Sequence, residues 1–207
     1  MKVSLKAKKG AYHHGNLAES LLYAVDEIAS QFGLEAVTLR ACAKRVGVSP
    51  SSAFRHYTDK RALLTAFAAR ALFQLCSAMT DAVAKAEGDS KDPFAAVGLA
   101  YICFAIDKPA FFRAMWREET IYSNDPDYRA ASNQLRRILQ AGFADSMYDA
   151  NPSKLDAEEL LAWSSVHGLA DLFVDGPVGE GLSRDEKLNT ASQMISVLGP
   201  VIKRRVE

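Results

Sequence analysis

Residues 45–60 read RVGVSPSSAFRHYTDK, and the interpretation of this stretch decides the architecture of the chain. A core segment has no use for so many polar donors, and a flexible linker does not carry Val48, Phe54 and Tyr57 among them. Gly47 can take positive φ at little steric cost, so the backbone can turn sharply there. Ser49 then caps a new helix with Pro50 at its first position, where the missing N–H is no loss. Upstream, Thr38 caps a helix of about two turns that points Leu39, Cys42, Ala43 and Val46 inward before Gly47 stops it. The product is a helix, a glycine turn and a second helix.

Working outward, Asn16 can cap a first helix, with Glu19 three residues on in capping-box position. Leu17, Leu21, Val25, Ile28, Ala29 and Phe32 fall on one face of that helix, and Gly33 ends it. Asp59 caps a long fourth helix on which Leu63, Leu64, Phe67, Ala71, Leu75, Met79 and Val83 recur at spacings of three and four, until EGDSKDP breaks it. Further helices are expected at 93–106, 109–120, 126–148, 156–175 and 183–205, with proline or acidic residues at their starts. No segment alternates with the period of two that marks a strand, so the expected fold is all-α with about nine helices. A head over residues 1–58 precedes a larger helical part over 59–207.

Composition limits the function classes. Hydrophobic residues make up 49% and charged residues 24%, an ordinary globular balance in which disorder has no place. The sequence holds no apolar run near the roughly 20 residues of a membrane span and opens without a signal-like block, so a cytoplasmic protein with no membrane partner is expected. Cys42, Cys76 and Cys103 lie far apart within apolar periodic segments, which suggests buried thiols and argues against a disulfide framework or a metal site. Net charge is zero, yet residues 1–60 carry nine Lys/Arg against five Asp/Glu, a basic head on an acidic body. That polarity suits a polyanionic partner.

A short helix beginning Ser49, Pro50, Ser51, Ser52 lets its backbone approach a neighbour closely, with free N–H groups and the positive helix end directed the same way. The major groove of double-stranded DNA admits such a helix, amino end toward the base edges. Ser51 and Ser52 are the expected base-edge residues, and Arg40 reaches a base or phosphate from the preceding helix. Arg55, His56, Tyr57 and Lys60 are expected on phosphates. The candidate DNA-contacting set is therefore Thr38, Arg40, Ser49, Ser51, Ser52, Arg55, His56, Tyr57 and Lys60. Lys2, Lys6, Lys8 and Lys9 fit equally a DNA-following arm and a tail.

The segment GNLAESLLYAVDEIASQFGLEAVTLRACAKRVGVSPSSAFRHYTDKRALLTAF, with TLR, GVS and DK-ALL in order, resembles the DNA-binding domain of TetR-family transcriptional regulators over about residues 12–68. The resemblance implies a recognition helix over residues 50–57, with Lys60 opening the next helix against a phosphate. Two positions depart from the family pattern: Phe54 stands where tyrosine is common, and Tyr57 where phenylalanine is common. A single head covers one half-site, so specific affinity calls for two heads about 34–36 Å apart, and hence for a dimer. The last two helices, apolar over more than one stripe, are the expected homodimer contact, as the resemblance also implies.

AWSSVHGLADLFVDG (Ala162 to Gly176) resembles the Trp, His-Gly signature of one carboxy-terminal subgroup of the family. Gly168 lies inside that helix, where it costs about 1 kcal/mol relative to alanine; close helix contact is the expected reason. A pocket for an apolar or aromatic inducer is expected from Phe104, Phe111, Met115, Phe143, Trp163 and His167, with Phe112 and Trp116 as further material for it. His167 is one turn from Trp163 and from Asp171, but no nucleophile or metal partner accompanies it, so neither enzyme activity nor a cofactor is expected. The function read from the sequence is a ligand-responsive transcriptional regulator, by expectation a repressor, on palindromic DNA. The alternative is a binding or interaction module whose DNA head is vestigial.

Overall fold

The computed structural model describes residues 16–89, 91–141 and 157–203. Among these, the α-helices are α1 (Leu17–Phe32), α2 (Leu39–Val46), α3 (Pro50–His56), α4 (Lys60–Gly88), α5 (Pro93–Asp107), α6 (Pro109–Met115), α7 (Pro126–Ala141), α8 (Ala157–Val174) and α9 (Arg184–Lys203). Short 3₁₀ turns lie at Leu34–Ala36, Glu118–Thr120 and Pro177–Gly179. No strand occurs among the described residues, and the fold is all-α as the periodicity predicts. The chain forms two compact units that meet in sequence between Leu64 and Thr65, inside α4.

Side-chain caps define the head. Asn16 Oδ1 accepts from Glu19 N (3.2 Å), Thr38 Oγ1 from Ala41 N (3.0 Å), Ser49 Oγ from Ser52 N (3.2 Å) and Asp59 Oδ1 from Ala62 N (2.7 Å). Each satisfies an amide that the helix leaves open, at a value of about 1 kcal/mol. Gly47 adopts φ 80° and ψ 29°, and its N–H bonds Ala43 O at 2.9 Å, closing α2 and aiming the chain into α3. Any residue with a Cβ would pay about 1–2 kcal/mol for this left-handed conformation. Leu21, Val25, Ile28, Leu39, Cys42, Ala53 and Leu63 are buried between the helices. Phe32 is not: at 67% exposure it lies on the last turn of α1, beyond the reach of the core its spacing pointed toward.

In the second unit, α5 is apolar nearly all round and packs chiefly on α8 and α9. The close approach falls at Gly98, where a Cβ would meet Ile195 Cδ1 at 3.0 Å, and not at Gly168, which has nothing within 4 Å of that position. The chain bends by 110° between α5 and α6, and Pro109 starts α6. α6 ends at Met115, shorter than the spacing suggested, and a 3₁₀ turn follows. The expected ends of α7 at 148 and α9 at 205 lie outside the described residues. Arg184 clamps Asp107 (Nε to Oδ1 2.6 Å) and Arg113 clamps Asp175 (Nε to Oδ1 2.8 Å), fixing helix ends to one another. The guanidinium of Arg184 also holds the Asp107 carboxyl below the usual range.

One window of α4 is apolar enough for a membrane span, a feature that the search for uninterrupted apolar runs passes over. Of that window 61% is buried within the protein, the signature of a core helix. Cys42 and Cys76 are buried, and desolvation pushes both thiols up to about 11. Cys103 is only half-buried and lies 3.0 Å from Arg184 Nη2, so its expected place in the core is not the one it takes.

Candidate nucleic-acid interface and ligand cavity

In the head, α3 shows its outer face to solvent: Ser51, Phe54, Arg55 and His56 are exposed, as are Arg40 on α2 and the cap residues Thr38 and Ser49. Ser49 Oγ lies 2.9 Å from Ser51 Oγ and 2.8 Å from Ser52 Oγ, so the three hydroxyls form one cluster at the amino end of α3. A hydroxyl both donates and accepts, so these groups can re-aim toward a partner without leaving the helix cap bare.

Two expected phosphate ligands are engaged within the head. Lys60 Nζ donates to Glu35 O at 3.0 Å, and the Tyr57 hydroxyl donates to Ala18 O at 3.3 Å. Tyr57 thereby ties the end of α3 to α1, and Lys60 ties the start of α4 to the 3₁₀ turn. Arg45 bonds Gln31 Oε1 at 3.1 Å and pairs with Glu27 at 3.6 Å, which fastens α2 to α1. Arg40 on α2 and Arg55 on α3 are both exposed. Phe54, 45% exposed, offers an apolar surface on the same helix.

The second unit holds a partly open cavity of about 550 Å³, within the range of small-molecule sites. Trp163 lines it, together with Trp116, Tyr101, Tyr128, Phe94 and Val166. Phe104, Phe111, Met115 and His167 are not among its lining residues. Phe111 stacks on Phe67 at 4.5 Å between ring centroids and on Phe104 at 6.4 Å, a pile of buried rings. Met115 is fully buried. Phe143 lies outside the described residues.

His167 serves as the layer behind the wall. Its ring stacks on Trp163 (5.8 Å, interplanar angle 2°), and its Nδ1 lies 2.7 Å from the Tyr101 hydroxyl. Burial drives the Tyr101 phenol far above its ordinary range, and desolvation holds His167 below the imidazole value of 6.5 against the opposing pull of Asp171. Both shifts favour a phenol donating to a neutral imidazole. The Trp116 indole N–H is buried with no partner in hydrogen-bonding geometry, although it lies close enough to oppose the rise at Tyr101.

What the sequence reading missed is the opposite wall. Arg129, Ser132, Asn133, Arg136 and Gln140 of α7 line the cavity, as does the buried Glu159 of α8. Their spacing was visible, but a polar stripe on a helix usually faces water.

A short helix held by a glycine turn against a capped partner, with an exposed arginine and hydroxyls at its outer face, has the geometry of a helix-turn-helix. Comparison with known proteins narrows the class. Residues 21–67 match the family "Bacterial regulatory proteins, tetR family", and residues 94–197 match "Tetracyclin repressor-like, C-terminal domain". The chain is 33% identical over 174 residues to the uncharacterized HTH-type transcriptional regulator YobS of Bacillus subtilis (strain 168), spanning 84% of this chain and 85% of that one. Among solved structures it is similar to a Rhodococcus sp. RHA1 protein of unknown function, with TM-score 0.67, 28% identity, and 89% and 96% of the two chains covered. It shares its fold with a TetR-family transcriptional regulator from Streptomyces coelicolor, with TM-score 0.61, 17% identity, and 90% and 99% covered. The chain belongs to the TetR family of bacterial regulatory proteins. It is a DNA-binding transcription regulator and not an enzyme.

Proposed function

We propose that this regulator is a repressor that binds a two-fold symmetric operator as a homodimer and releases it when a small molecule occupies the cavity of the second unit. The observation that carries the DNA-binding part is the outer face of α3, where Ser51, Arg55 and His56 are exposed, together with the exposure of Arg40 on α2. Under this reading Ser51 and Ser52 reach base edges. Thr38, Arg40, Ser49, Arg55, His56, Tyr57 and Lys60 hold the backbone, the last two after exchanging their internal acceptors for phosphates. Residues 1–58 form the DNA-binding part and 59–207 the ligand-binding and dimerising part. The protein acts in the cytoplasm, where its operator lies.

Dimerisation is supported by α8 and α9. Leu161 and Leu172 of α8 are 42% and 39% exposed, and Gly168 stands between them on the same face with open space beside it. Val197 of α9 is 69% exposed. An apolar face of this kind, broken by a glycine, fits a helix of a second copy. Release by ligand requires differential affinity for the two arrangements of the heads; typical coupling of about 1–3 kcal/mol would lower DNA affinity about 5- to 150-fold.

The test is selection of bound duplexes from a random pool, followed by titration of the selected sequence at about 50 and about 200 mM salt. A symmetric sequence whose affinity falls steeply with salt is the expected result. A flat salt response would remove the DNA-binding reading and leave a module with a vestigial head.

A further inference from the structure

The lining of the cavity in the second unit mixes two kinds of residue. α7 presents Arg129, Ser132, Asn133, Arg136 and Gln140, residues spaced to share a single helix face, with Tyr128, Leu135 and Leu139 beside them. Leu72, Met79, Val97, Trp163, Val166 and Ile195 give an apolar surface drawn from α4, α5, α8 and α9. Arg129 is exposed at the rim and Arg136 is half-buried. Neither guanidinium has an ion-pair partner among the described residues, whereas Arg45, Arg113 and Arg184 all do. Among the described lining residues Glu159 is the one carboxylate; it is 7% exposed and engaged in an interaction of its own. Two cations against one anion leave the described lining positive. The buried Trp116 N–H, which has no partner in hydrogen-bonding geometry among the described residues, belongs to the same lining.

We infer that the ligand is an amphiphile with an anionic head and an apolar body, the head held by Arg129 and Arg136 and the body laid against the Trp163 wall; this rests on the ligand-responsive reading above. A carboxylate or phosphate head matches the guanidinium fork and accepts from the neighbouring hydroxyl and amide groups of α7. A cationic ligand would face two like charges in a partly dry site, and a neutral one would leave the arginines unanswered.

The chain holds two tryptophans, Trp116 and Trp163, and both line the cavity, so tryptophan emission reports on this site alone. The full chain is titrated with decanoate, decyl phosphate, decanol and decyltrimethylammonium, each below its micelle concentration. Decanoate and decyl phosphate are expected to bind about tenfold or more tightly than decanol and the cation. The tighter of the two anions names the head group. Arg136→Gln and Arg129→Gln, their folding checked by circular dichroism, are expected to remove that advantage and leave decanol binding unchanged. Independently of any variant, added salt should weaken decanoate and not decanol. Decanol or the cation binding as tightly as decanoate would overturn this inference and leave the pocket standing. Silence with all four probes would overturn the pocket reading together with it.

Discussion

The two units use their aromatic residues in opposite ways. In the head, Tyr23, Phe32 and Phe54 stand 53%, 67% and 45% exposed, on helices whose stability comes from caps and small apolar contacts. In the second unit Phe73 and Tyr122 also reach the surface, but the remaining rings largely pile on one another: Phe67 on Phe111 on Phe104, and Trp163 flat against His167 with Trp116 edge-on at 5.3 Å from Trp163. The contrast teaches that aromatic content alone says little about a binding site. What matters is whether the ring still has a free face once the helices have closed.

The contrast can be broken most forcefully at Phe67 and Phe54. Phe67→Ala removes a fully buried stacked ring and should cost about 3–5 kcal/mol in urea unfolding, whereas Phe54→Ala should cost about 0.5 kcal/mol or less. Similar losses for the two would erase the distinction. Next in size is Gly47→Ala, which places a Cβ at φ 80° and should cost about 1–2 kcal/mol by the same measurement, with DNA affinity falling as α3 loses its angle. No change would show that the turn does not depend on glycine.

Lys60 and Ser51 sharpen the picture within the head. Lys60→Ala is expected to weaken binding to all sequences alike and to lower the salt slope by about one, while substitutions at Ser51 or Ser52 shift base preference. Should Lys60→Ala leave the salt slope intact and lower only thermal stability, its bond to Glu35 O would be its whole role.

The smallest expected effect concerns pH. His167 has a folded pKa below 6.5, so the unfolded chain takes up the proton first as pH falls. Stability contributed by neutral His167 is full above 6.5 and declines in the window beneath it, down to the depressed folded value. A melting-temperature profile should fall more steeply below 6.5 for the native chain than for His167→Gln. Parallel profiles would show that the imidazole does not titrate in that window.

How much of this the sequence disclosed depended on the distance over which each feature acts. Asn16, Thr38, Ser49 and Asp59 cap amides three residues away, and Gly47 sets its own φ, so the head could be read from neighbours in the chain. The acceptors of Lys60 and Tyr57 lie 25 and 39 residues distant, and their internal bonds left no local mark. The cavity depends on helices drawn together from Leu72 to Ile195. Phe104, Phe111 and Met115 carried the right chemistry for a lining and went to the core, because the bend after α5 turns α6 back onto α4 and α5. Arg129 and Arg136 gave no local sign of lining a cavity for the same reason: periodicity marks a face but not what that face meets.

The central claim is that α3 enters DNA in duplicate, each chain held to a second copy by its second unit. Sedimentation of the protein with its selected duplex tests this most directly. The account predicts a single complex of two chains per duplex, already dimeric before DNA is added; one chain per duplex, from a protein that sediments as a monomer, would contradict it.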